Sequence, residues 1–281
     1  MNQIIQKTRL NPTVTRMEIF SPLIAKKAEP GQFIILRVDE YGERIPLTIA
    51  DYHREKGTVT IIYQVVGATT IALDQLEEGD EIRDFVGPLG KPTDLGDVEK
   101  VIVIGGGVGS AIALPVAKKL SSKQVEVHSI LGFRNQSLVI LEEEFRACSA
   151  RFCLMSDDGS CGEKGRVTDA LEKVLQEDSH FDAIFVVGPL VMMKAVSVLT
   201  KKYGIKTIVS MNPIMMDGTG MCGCCRLTVG GKVKFACVDG PDFNGHEVDF
   251  DEAILRSSSY KEVEQKKREE ACHLLEKGKR V

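Results

Sequence analysis

The pattern of apolar and polar residues changes once along the chain, near residue 95. Before that point, short alternating or apolar runs are separated by glycine-containing turns, which is typical of antiparallel β structure. The runs expected to form strands are Thr13–Phe20, Phe33–Val38, Thr58–Val65 and Glu81–Val86. Their close spacing predicts a small antiparallel β-barrel over residues 1–95 rather than a βαβ unit.

After residue 95, short runs typical of buried strands alternate with apolar helices. Strands are expected at Val101–Ile104, Val125–Leu131, Arg151–Met155 and Ala183–Val187. Helices are expected at Ala111–Leu120, Leu138–Cys148, Val167–Leu175 and Leu190–Lys202. This alternation predicts a parallel sheet with helices on both faces, that is, an α/β domain over residues 96–209.

Two smaller regions complete the predicted organisation. Residues 210–250 hold a loop rich in glycine and cysteine, followed by a predicted hairpin in which Gly230-Gly231 joins Arg226–Val229 to Lys232–Ala236. Residues 251–281 are a charged tail in which Glu262–Lys279 carries the narrow apolar stripe of a helix. A solvated terminal helix is the simplest interpretation of this tail, and docking on a partner subunit is the alternative.

Composition narrows the class of protein. The chain has 281 residues, of which 43% are hydrophobic, enough for two domains with their own cores. The net charge of −4 comes from well-mixed acidic and basic residues, so neither nucleic acid nor a membrane is expected as a partner. The longest nearly unbroken apolar run, Ala183–Met193, is too short to span a bilayer, and the first residues lack the layout of a signal peptide. A reducing, cytoplasmic location is expected.

The most specific motif is a cysteine-rich loop that begins Asp217-Gly-Thr-Gly-Met-Cys-Gly-Cys-Cys. Cys222 and Cys225 form a Cys-x2-Cys pair, whose spacing lets two thiolates converge on one metal centre. Cys237, beyond the predicted hairpin, adds a third thiolate. Asp217 stands where the Cys-x4-Cys-x2-Cys run of plant-type [2Fe–2S] proteins has its first cysteine, and a carboxylate can also bind iron.

Other interpretations of these cysteines have to be compared. Disulfides are disfavoured, because nothing marks the chain as secreted and Cys224 and Cys225 are adjacent, about 3.8 Å apart at Cα. Structural zinc is the stronger rival, since Cys-x2-Cys with a distant third cysteine also suits tetrahedral zinc. Zinc ribbons usually offer a second close pair, and none follows Cys237. The spacing therefore favours iron–sulfur and leaves zinc open.

Two segments of the barrel have the polar groups that a flavin needs. Arg44-Ile-Pro-Leu-Thr48 reads as a strand whose period places Arg44, Pro46 and Thr48 on one face, where a cation and a hydroxyl would suit a flavin's phosphate and ring edge. An edge strand with a surface arginine is the simpler alternative. Further on, Gly67 and Thr70 lie where a strand turns into a short helix, which predicts either an anion site or only a capped helix.

A dinucleotide site is expected at the start of the α/β domain. Gly105, Gly107 and Gly109 follow a buried strand and precede an apolar helix, the context that a Rossmann glycine motif requires. Ser110 occupies the position of the motif's third glycine or alanine, so the match is imperfect. Loops at later strand ends, with Asp157 and Gly188, should line the same crevice, because ligands bind beyond the carboxyl ends of parallel strands.

With these motifs, the chain resembles the ferredoxin-NADP reductase superfamily over essentially its whole length. Within it, the chain is similar to the group of dihydroorotate dehydrogenase electron-transfer subunits and of small subunits of electron-bifurcating, NADH-dependent ferredoxin:NADP oxidoreductases. The segments that carry the resemblance are Arg44–Asp51, Gly105–Ala111, Asp157–Ser160 and the cysteine loop. The dihydroorotate branch carries four cysteines in this loop, whereas the bifurcating branch has an aspartate first, as here at Asp217.

The resemblance implies three cofactors: FAD in the barrel, NAD(H) on the α/β domain and a [2Fe–2S] cluster in the C-terminal loop. The implied cluster ligands are Asp217, Cys222, Cys225 and Cys237. The flavin would be held by Arg44, Pro46, Leu47, Thr48, Gly67 and Thr70, and the nicotinamide nucleotide by Gly105, Gly107, Gly109, Asp157 and Gly188. NADP(H) remains open, because no acidic residue clearly ends the second α/β strand.

The resemblance also implies a partner and a reaction. The partner would be a larger flavoprotein subunit with a bifurcating flavin, two [4Fe–4S] clusters and an NADP site, through which ferredoxin reacts. Together the subunits would couple oxidation of NADH and reduced ferredoxin to NADP reduction, or run in reverse. The chain departs from the superfamily's Arg-x-Tyr-Ser, because Arg44 stands four residues before Thr48 and Leu47 replaces the aromatic residue. The alternatives are a subunit for dihydroorotate oxidation and a zinc-binding nucleotide sensor without redox turnover.

Overall fold

The computed structural model describes residues 2–276, so the end of the predicted tail helix, up to Lys279, lies outside the described residues. The N-terminal part consists of six antiparallel strands and two short helices. These are β1 (Gln3–Asn11), β2 (Val14–Phe20), α1 (Pro22–Lys27), β3 (Phe33–Arg37), β4 (Ile45–His53), β5 (Thr58–Gln64), α2 (Ala68–Leu73) and β6 (Asp84–Leu89). Their order in the sheet is β1-β2-β5-β4-β3-β6.

The six-stranded sheet closes on itself just before β6. The Ile4 N–H donates to the Asp80 carbonyl at 2.9 Å, and the Ile82 N–H donates to the Asn2 carbonyl at 3.1 Å. Inside, alternate residues of the strands, such as Ile34 and Ile61, are fully buried. The predicted antiparallel barrel is therefore confirmed, including the strand that begins just after Arg44.

The central part is a predominantly parallel sheet between helices. Its elements are β7 (Lys100–Gly106), α3 (Ser110–Ser122), β8 (Glu126–Phe133), α4 (Glu142–Cys148), β9 (Arg151–Ser156), β10 (Glu163–Lys164), α5 (Val167–Glu177), β11 (Ala183–Val187), α6 (Leu190–Tyr203) and β12 (Lys206–Ser210). Two hydrophobic clusters, one on each face of this sheet, hold its buried residues. The predicted α/β architecture is confirmed.

The C-terminal part begins with a loop over residues 211–225, called the cluster loop below. After it come β13 (Arg226–Val229), β14 (Lys232–Phe235), α7 (Ala236–Asp239), β15 (Asp242–Asn244), α8 (Phe250–Ser257) and α9 (Lys261–Glu276). The hairpin joined by Gly230 and Gly231 is present as predicted, with Val229 opposite Lys232. Strand β15 pairs antiparallel with β12, so the parallel sheet has the order β10-β9-β8-β7-β11-β12-β15.

The structure differs from the sequence-based expectation at several elements. The helix expected over Leu138–Cys148 is a single 3₁₀ turn at Gln136–Leu138 and a shorter α4, because Leu141 has a left-handed backbone with φ 61°. The strand expected at Glu81–Val86 lies at Asp84–Leu89. The elements that were not predicted are strands β1, β10, β12 and β15 and helices α1, α7 and α8. The domain boundaries at 95, 209 and 250 stay predictions, and β15 shows that the chain beyond residue 210 extends the central sheet.

Helix α9 lies against the barrel. Ala271 is buried, and helix α9 contacts α2. Lys267 of α9 forms an ion pair with Glu43, the residue before Arg44. Most other described side chains of α9 are exposed, so both a solvated helix and a helix that docks on a partner subunit stay predictions. Among residues 2–276, no helix is long and apolar enough to cross a membrane.

Candidate cofactor cleft and metal centre

One large cleft joins the barrel, the central sheet, the cluster loop and α9. Its volume is about 2670 Å³, whereas ordinary single-ligand pockets measure roughly 300–1,000 Å³. The predicted cofactor residues that line it are Arg44, Pro46, Gly67, Thr70, Gly107, Gly109, Asp157 and Gly188. The structure therefore brings most of the predicted flavin and nucleotide residues to one continuous space large enough for more than one dinucleotide.

The start of strand β4 meets the cleft with three consecutive residues rather than with alternate ones. Arg44, Ile45 and Pro46 line the cleft, while Leu47 packs against the barrel core. Thr48 is half-buried and pairs with Phe33 of β3, outside the lining of the cleft. A flavin role for Leu47 and Thr48 stays a prediction, because neither side chain bounds the cleft in the absence of ligand.

The turn before α2 is tightly organised. The Thr70 hydroxyl accepts hydrogen bonds from the N–H groups of Val66 and Gly67, both at 3.0 Å, and donates to the Gly67 carbonyl at 3.0 Å. These are the hydrogen bonds of a capped helix start. The same turn lines the cleft, so the cap fixes the backbone next to the space where a ligand would lie.

The glycine loop after β7 shows why each glycine is needed. A Cβ on Gly105 would lie 2.8 Å from Ser110 Cα, and a Cβ on Gly109 would lie 2.6 Å from the Val187 carbonyl oxygen. These two glycines therefore permit close packing of strand, helix and neighbouring strand. Gly107 has φ +56° and nothing within 4 Å of its added Cβ, so it faces the open cleft. Gly105 itself does not line the cleft.

The carboxyl ends of β8, β9 and β11 lie along the same cleft. Arg134, Asp157 and Gly188 all line it. The Asp157 N–H donates to the Phe133 carbonyl at 3.1 Å, which holds the two strand ends side by side. The expectation that the strand-end loops share one crevice is thus confirmed.

Two of the four proposed cluster ligands are buried behind the hairpin. Cys225 ends the cluster loop and Cys237 is the second residue of α7, and their sulfurs are 3.3 Å apart. Both are buried. Burial raises the pKa of the Cys237 thiol to about 12, with the neighbouring Cys225 sulfur adding to the effect. The two sulfurs are too far apart for a disulfide, whose S–S bond is about 2.05 Å.

The other two proposed ligands lie at the surface. Cys222 is exposed and Asp217 is partly exposed. Main-chain N–H groups of Cys224 and Asp217 donate to the Cys222 sulfur and lower the pKa of that thiol. Asp217 Oδ2 accepts hydrogen bonds from the Thr219 hydroxyl, from the Thr219 N–H at 3.1 Å and from the Met221 N–H at 3.4 Å. The hydroxyl of Thr219 is the main reason why the pKa of Asp217 lies below its usual value.

This donor set fits a two-iron cluster better than a single ion. Two thiolates on one tetrahedral metal, with bonds of about 2.3 Å, are about 3.8 Å apart, which is close to the Cys225–Cys237 distance of 3.3 Å. Within residues 2–276, no three acidic, cysteine or histidine side chains converge closely enough to hold one metal ion. A [2Fe–2S] cluster needs only two protein ligands at each iron, whereas structural zinc needs four at one ion.

Some residues of this centre were not identified from the sequence. Thr219 completes a local turn in which its N–H donates to the side chain of Asp217, two residues earlier. This turn could have been predicted, because an aspartate followed by glycine commonly forms it. Arg226 and Arg256 donate to carbonyls of the cluster loop, at Gly223 and Cys224. No sequence signal indicates those two contacts, since each depends on the folded position of another element.

A barrel, a nucleotide-binding α/β domain and a thiolate centre that share one cleft define an oxidoreductase of the ferredoxin-NADP reductase type. Such a protein binds FAD, NAD(H) and a [2Fe–2S] cluster and transfers electrons among them. Comparison with known proteins agrees. Residues 212–249 match the iron–sulfur cluster binding domain of dihydroorotate dehydrogenase B, and residues 103–198 match the oxidoreductase NAD-binding domain. The first match decides between iron–sulfur and zinc in favour of iron–sulfur.

Whole-chain relatives give the family. A homologue of the dihydroorotate dehydrogenase B (NAD(+)) electron transfer subunit from Thermotoga maritima is 46% identical, over 94% of this chain and 93% of its own length. The corresponding subunit from Streptococcus mutans is 33% identical, over 88% and 97%. The chain belongs to the family of dihydroorotate dehydrogenase B electron-transfer subunits and their homologues.

A solved structure extends the comparison to three dimensions. It is described as giving insights into flavin-based electron bifurcation via the NADH-dependent reduced ferredoxin-NADP oxidoreductase. Its matching chain is 44% identical, with a TM-score of 0.91, over 96% of this chain and 97% of its own. The likeness therefore includes the barrel, the α/β domain and the cluster loop together.

Proposed function

We propose that the chain is the small electron-transfer subunit of an electron-bifurcating, NADH-dependent ferredoxin:NADP oxidoreductase. The observation that carries the proposal is Asp217, a carboxylate in the position of the first cluster cysteine, held in place by Thr219 and Met221. The fit of the whole chain to the bifurcating oxidoreductase structure supports the same assignment.

The four ligands of the proposed cluster divide into two pairs. Cys225 and Cys237, whose sulfurs are 3.3 Å apart, would bind one iron. Asp217 and Cys222, linked by a hydrogen bond from the Asp217 N–H to the Cys222 sulfur, would bind the other. Because Asp217 Oδ2 already accepts three hydrogen bonds, Oδ1 is the oxygen left for iron.

The remaining predicted residues would hold the two organic cofactors. Those assigned to FAD are Arg44, Pro46, Leu47, Thr48, Gly67 and Thr70, and those assigned to NAD(H) are Gly105, Gly107, Gly109, Asp157 and Gly188. When bound, the flavin accepts a hydride from the nicotinamide and releases single electrons, which a nicotinamide cannot do. The chain's task is to hold both in the one cleft, beside the cluster loop.

The proposed partner is a larger flavoprotein subunit that carries a bifurcating flavin, two [4Fe–4S] clusters and the NADP site, and that reacts with ferredoxin. A surface suited to it surrounds the exposed Cys222. Ile214, Met216, Met221 and Val238 are all exposed there, and Met221 is 88% exposed. Exposed apolar side chains grouped in one place are typical of a protein–protein interface, and methionine is common in such surfaces.

The proposal can be tested with anaerobically purified holoprotein and with native cell extract. Titration with NADH should bleach the flavin and then give the electron paramagnetic resonance signal of a reduced [2Fe–2S] cluster. Affinity capture from extract should recover a subunit that contains [4Fe–4S] clusters and reduces NADP. Recovery of a dihydroorotate-oxidising subunit instead would favour the dihydroorotate branch, and protein without iron and acid-labile sulfide would contradict both.

A further inference from the structure

Three arginines from three different elements donate hydrogen bonds to carbonyl oxygens of the cluster loop. Arg44 Nε donates to the Met216 carbonyl at 2.7 Å. Arg226 Nη1, at the start of β13, donates to the Gly223 carbonyl at 3.3 Å. Arg256 Nη2, on α8, donates to the Cys224 carbonyl at 3.3 Å. The three guanidinium groups therefore reach the loop from the barrel, from the hairpin and from a C-terminal helix.

Within residues 2–276, none of these three guanidinium groups is in direct contact with a carboxylate. Five arginines elsewhere form ion pairs with aspartate or glutamate: Arg9, Arg37, Arg54, Arg146 and Arg151. Arg44, Arg226 and Arg256 form no such pair within residues 2–276, and their partners are neutral carbonyl groups. A carbonyl satisfies a hydrogen-bond donor but leaves its charge in place.

Each of the three carbonyls belongs to a residue next to a proposed iron ligand. Met216 precedes Asp217, Gly223 follows Cys222, and Cys224 precedes Cys225. The three unpaired charges are thus grouped around the place where the cluster would lie.

We infer that Arg44, Arg226 and Arg256 position the cluster loop and raise the reduction potential of the cluster it holds. This inference rests on the proposed function. A bound cluster would supply one-electron transfer between the flavin and the partner, with no bond made or broken in the protein. Its reduced form carries one more negative charge than its oxidised form, so nearby positive charge stabilises the reduced form more.

One of the three arginines also contacts the cleft. Arg44 directly precedes strand β4 and lines the cleft together with Pro46, while its Nε donates to the cluster loop. The same side chain therefore lies at both the cleft and the cluster loop.

The test is the midpoint potential of the cluster, measured in the holoprotein by anaerobic titration followed by electron paramagnetic resonance. In the double variant Arg226→Gln with Arg256→Gln, the midpoint potential of the cluster should fall. The expected result is an about tenfold rise in the ratio of oxidised to reduced cluster at a fixed potential, which for one electron corresponds to a fall of about 59 mV. Arg226→Lys with Arg256→Lys retains the charge and should stay near wild type. Arg151→Gln removes a distant, paired charge and should leave the potential unchanged.

The outcomes separate this inference from the proposed function. If wild-type protein holds no iron and sulfide, the proposed function fails first. If the cluster is present and the glutamine variants keep the wild-type potential, the inference is wrong while the function stands. Should the double variant lose its cluster, the single variants Arg226→Gln and Arg256→Gln decide, and an unchanged potential in both would overturn the inference.

Discussion

The two pairs of proposed cluster ligands differ in almost every physical respect. The inner pair, Cys225 and Cys237, is buried and flanks a regular hairpin. The outer pair, Asp217 and Cys222, lies near the surface in a loop whose backbone turns at glycines with positive φ, such as Gly218 at +83°. The inner pair is held by the fold, whereas the outer pair is held by local hydrogen bonds. We therefore expect the inner pair to retain the metal and the outer pair to adjust the reduction potential of the cluster.

The largest effect should come from removing an inner thiolate. Cys225→Ser or Cys237→Ser should reduce bound iron and acid-labile sulfide to below about a tenth of wild type, because a buried iron then loses half of its protein ligands. Flavin should stay bound, since the cleft is formed mainly by other elements. Iron analysis and visible absorbance measure the change, and Cys224→Ser is the matched control that should keep its cluster.

A result in which Cys222→Ser loses as much iron as Cys225→Ser would contradict the ranking of the two pairs. Cys222 is exposed and has Asp217 beside it, so an oxygen ligand from solvent or from serine can complete the coordination of the iron that the outer pair would bind. No such replacement reaches the buried position of Cys225.

The next effect concerns the reactivity of the thiols after the cluster has been removed. At pH 8, iodoacetamide should modify Cys222 at least about a hundredfold faster than Cys237. Burial raises the pKa of Cys237 to about 12, whereas main-chain hydrogen bonds lower the pKa of Cys222, so Cys222 has by far the larger thiolate fraction at this pH. Burial of Cys237 also limits access of the reagent to its sulfur.

Peptide mass spectrometry at a series of reaction times measures these rates. Denatured protein is the control, because both thiols should then react alike. Equal rates in the folded, cluster-free protein would mean that the inner pair does not stay buried without its metal.

A smaller effect concerns the pH dependence of stability, which depends on strand β15, the strand after the helix that carries Cys237. Asp242 of β15 is half-buried as a residue, but its Oδ1 is buried and has no partner within the described chain. Its carboxylate accepts from the Thr93 hydroxyl at 2.6 Å and hydrogen-bonds Ser210. Neither neighbour is charged, and burial raises the pKa of Asp242 to about 6. Because the folded pKa exceeds the unfolded value, the folded state binds the proton more tightly. The free energy of unfolding should therefore decrease, by up to ~3 kcal/mol, as pH rises from about 4 to 6.

Asp242→Asn should remove this component of the pH dependence and be more stable than wild type at pH 8 by about 1 kcal/mol. The gain is smaller than the full titration effect because the amide N–H₂ also lacks a partner, which costs about 1–3 kcal/mol. Chemical unfolding at pH 5 and pH 8 measures both quantities. A wild-type-like decrease of stability with pH in the variant would show that another group is responsible.

The comparison of the two pairs also shows what sequence can and cannot predict. The buried strands and helices of the central sheet follow from apolar periodicity, and the hairpin behind Cys225 follows from Gly230-Gly231. Strand β1 was missed because its residues alternate weakly, with few buried positions. Strand β15 has poor strand-forming residues at two of its three positions, Asp242 and Asn244, and it pairs with the edge that β12 offers.

In the candidate site, too, the sequence predicts some features and not others. Cysteine spacing indicates the ligands, because the cluster imposes that spacing on the chain. The burial of Cys225 and Cys237 and the exposure of Cys222 depend on what packs around the loop. The contacts of Arg226 and Arg256 join residues whose positions only the fold brings together. Spacing therefore predicts which residues bind, whereas the tertiary structure decides how each one behaves.

The smallest effect should come from a single hydrogen bond in the outer pair. Thr219→Val removes the hydroxyl that donates to Asp217 Oδ2 and leaves the backbone N–H donor in place. The carboxylate then keeps more negative charge on its oxygens, so the oxidised cluster is favoured and the midpoint potential should fall by less than 59 mV, a less than tenfold change in the ratio. Thr219→Ser keeps the donor and should match wild type. A redox titration of the three proteins gives the answer, and a fall of equal size in both variants would show that loss of the hydroxyl donor is not the cause. An unchanged potential in Thr219→Val would instead show that Asp217 does not ligate iron. The expectation that the outer pair adjusts the reduction potential of the cluster would then be wrong.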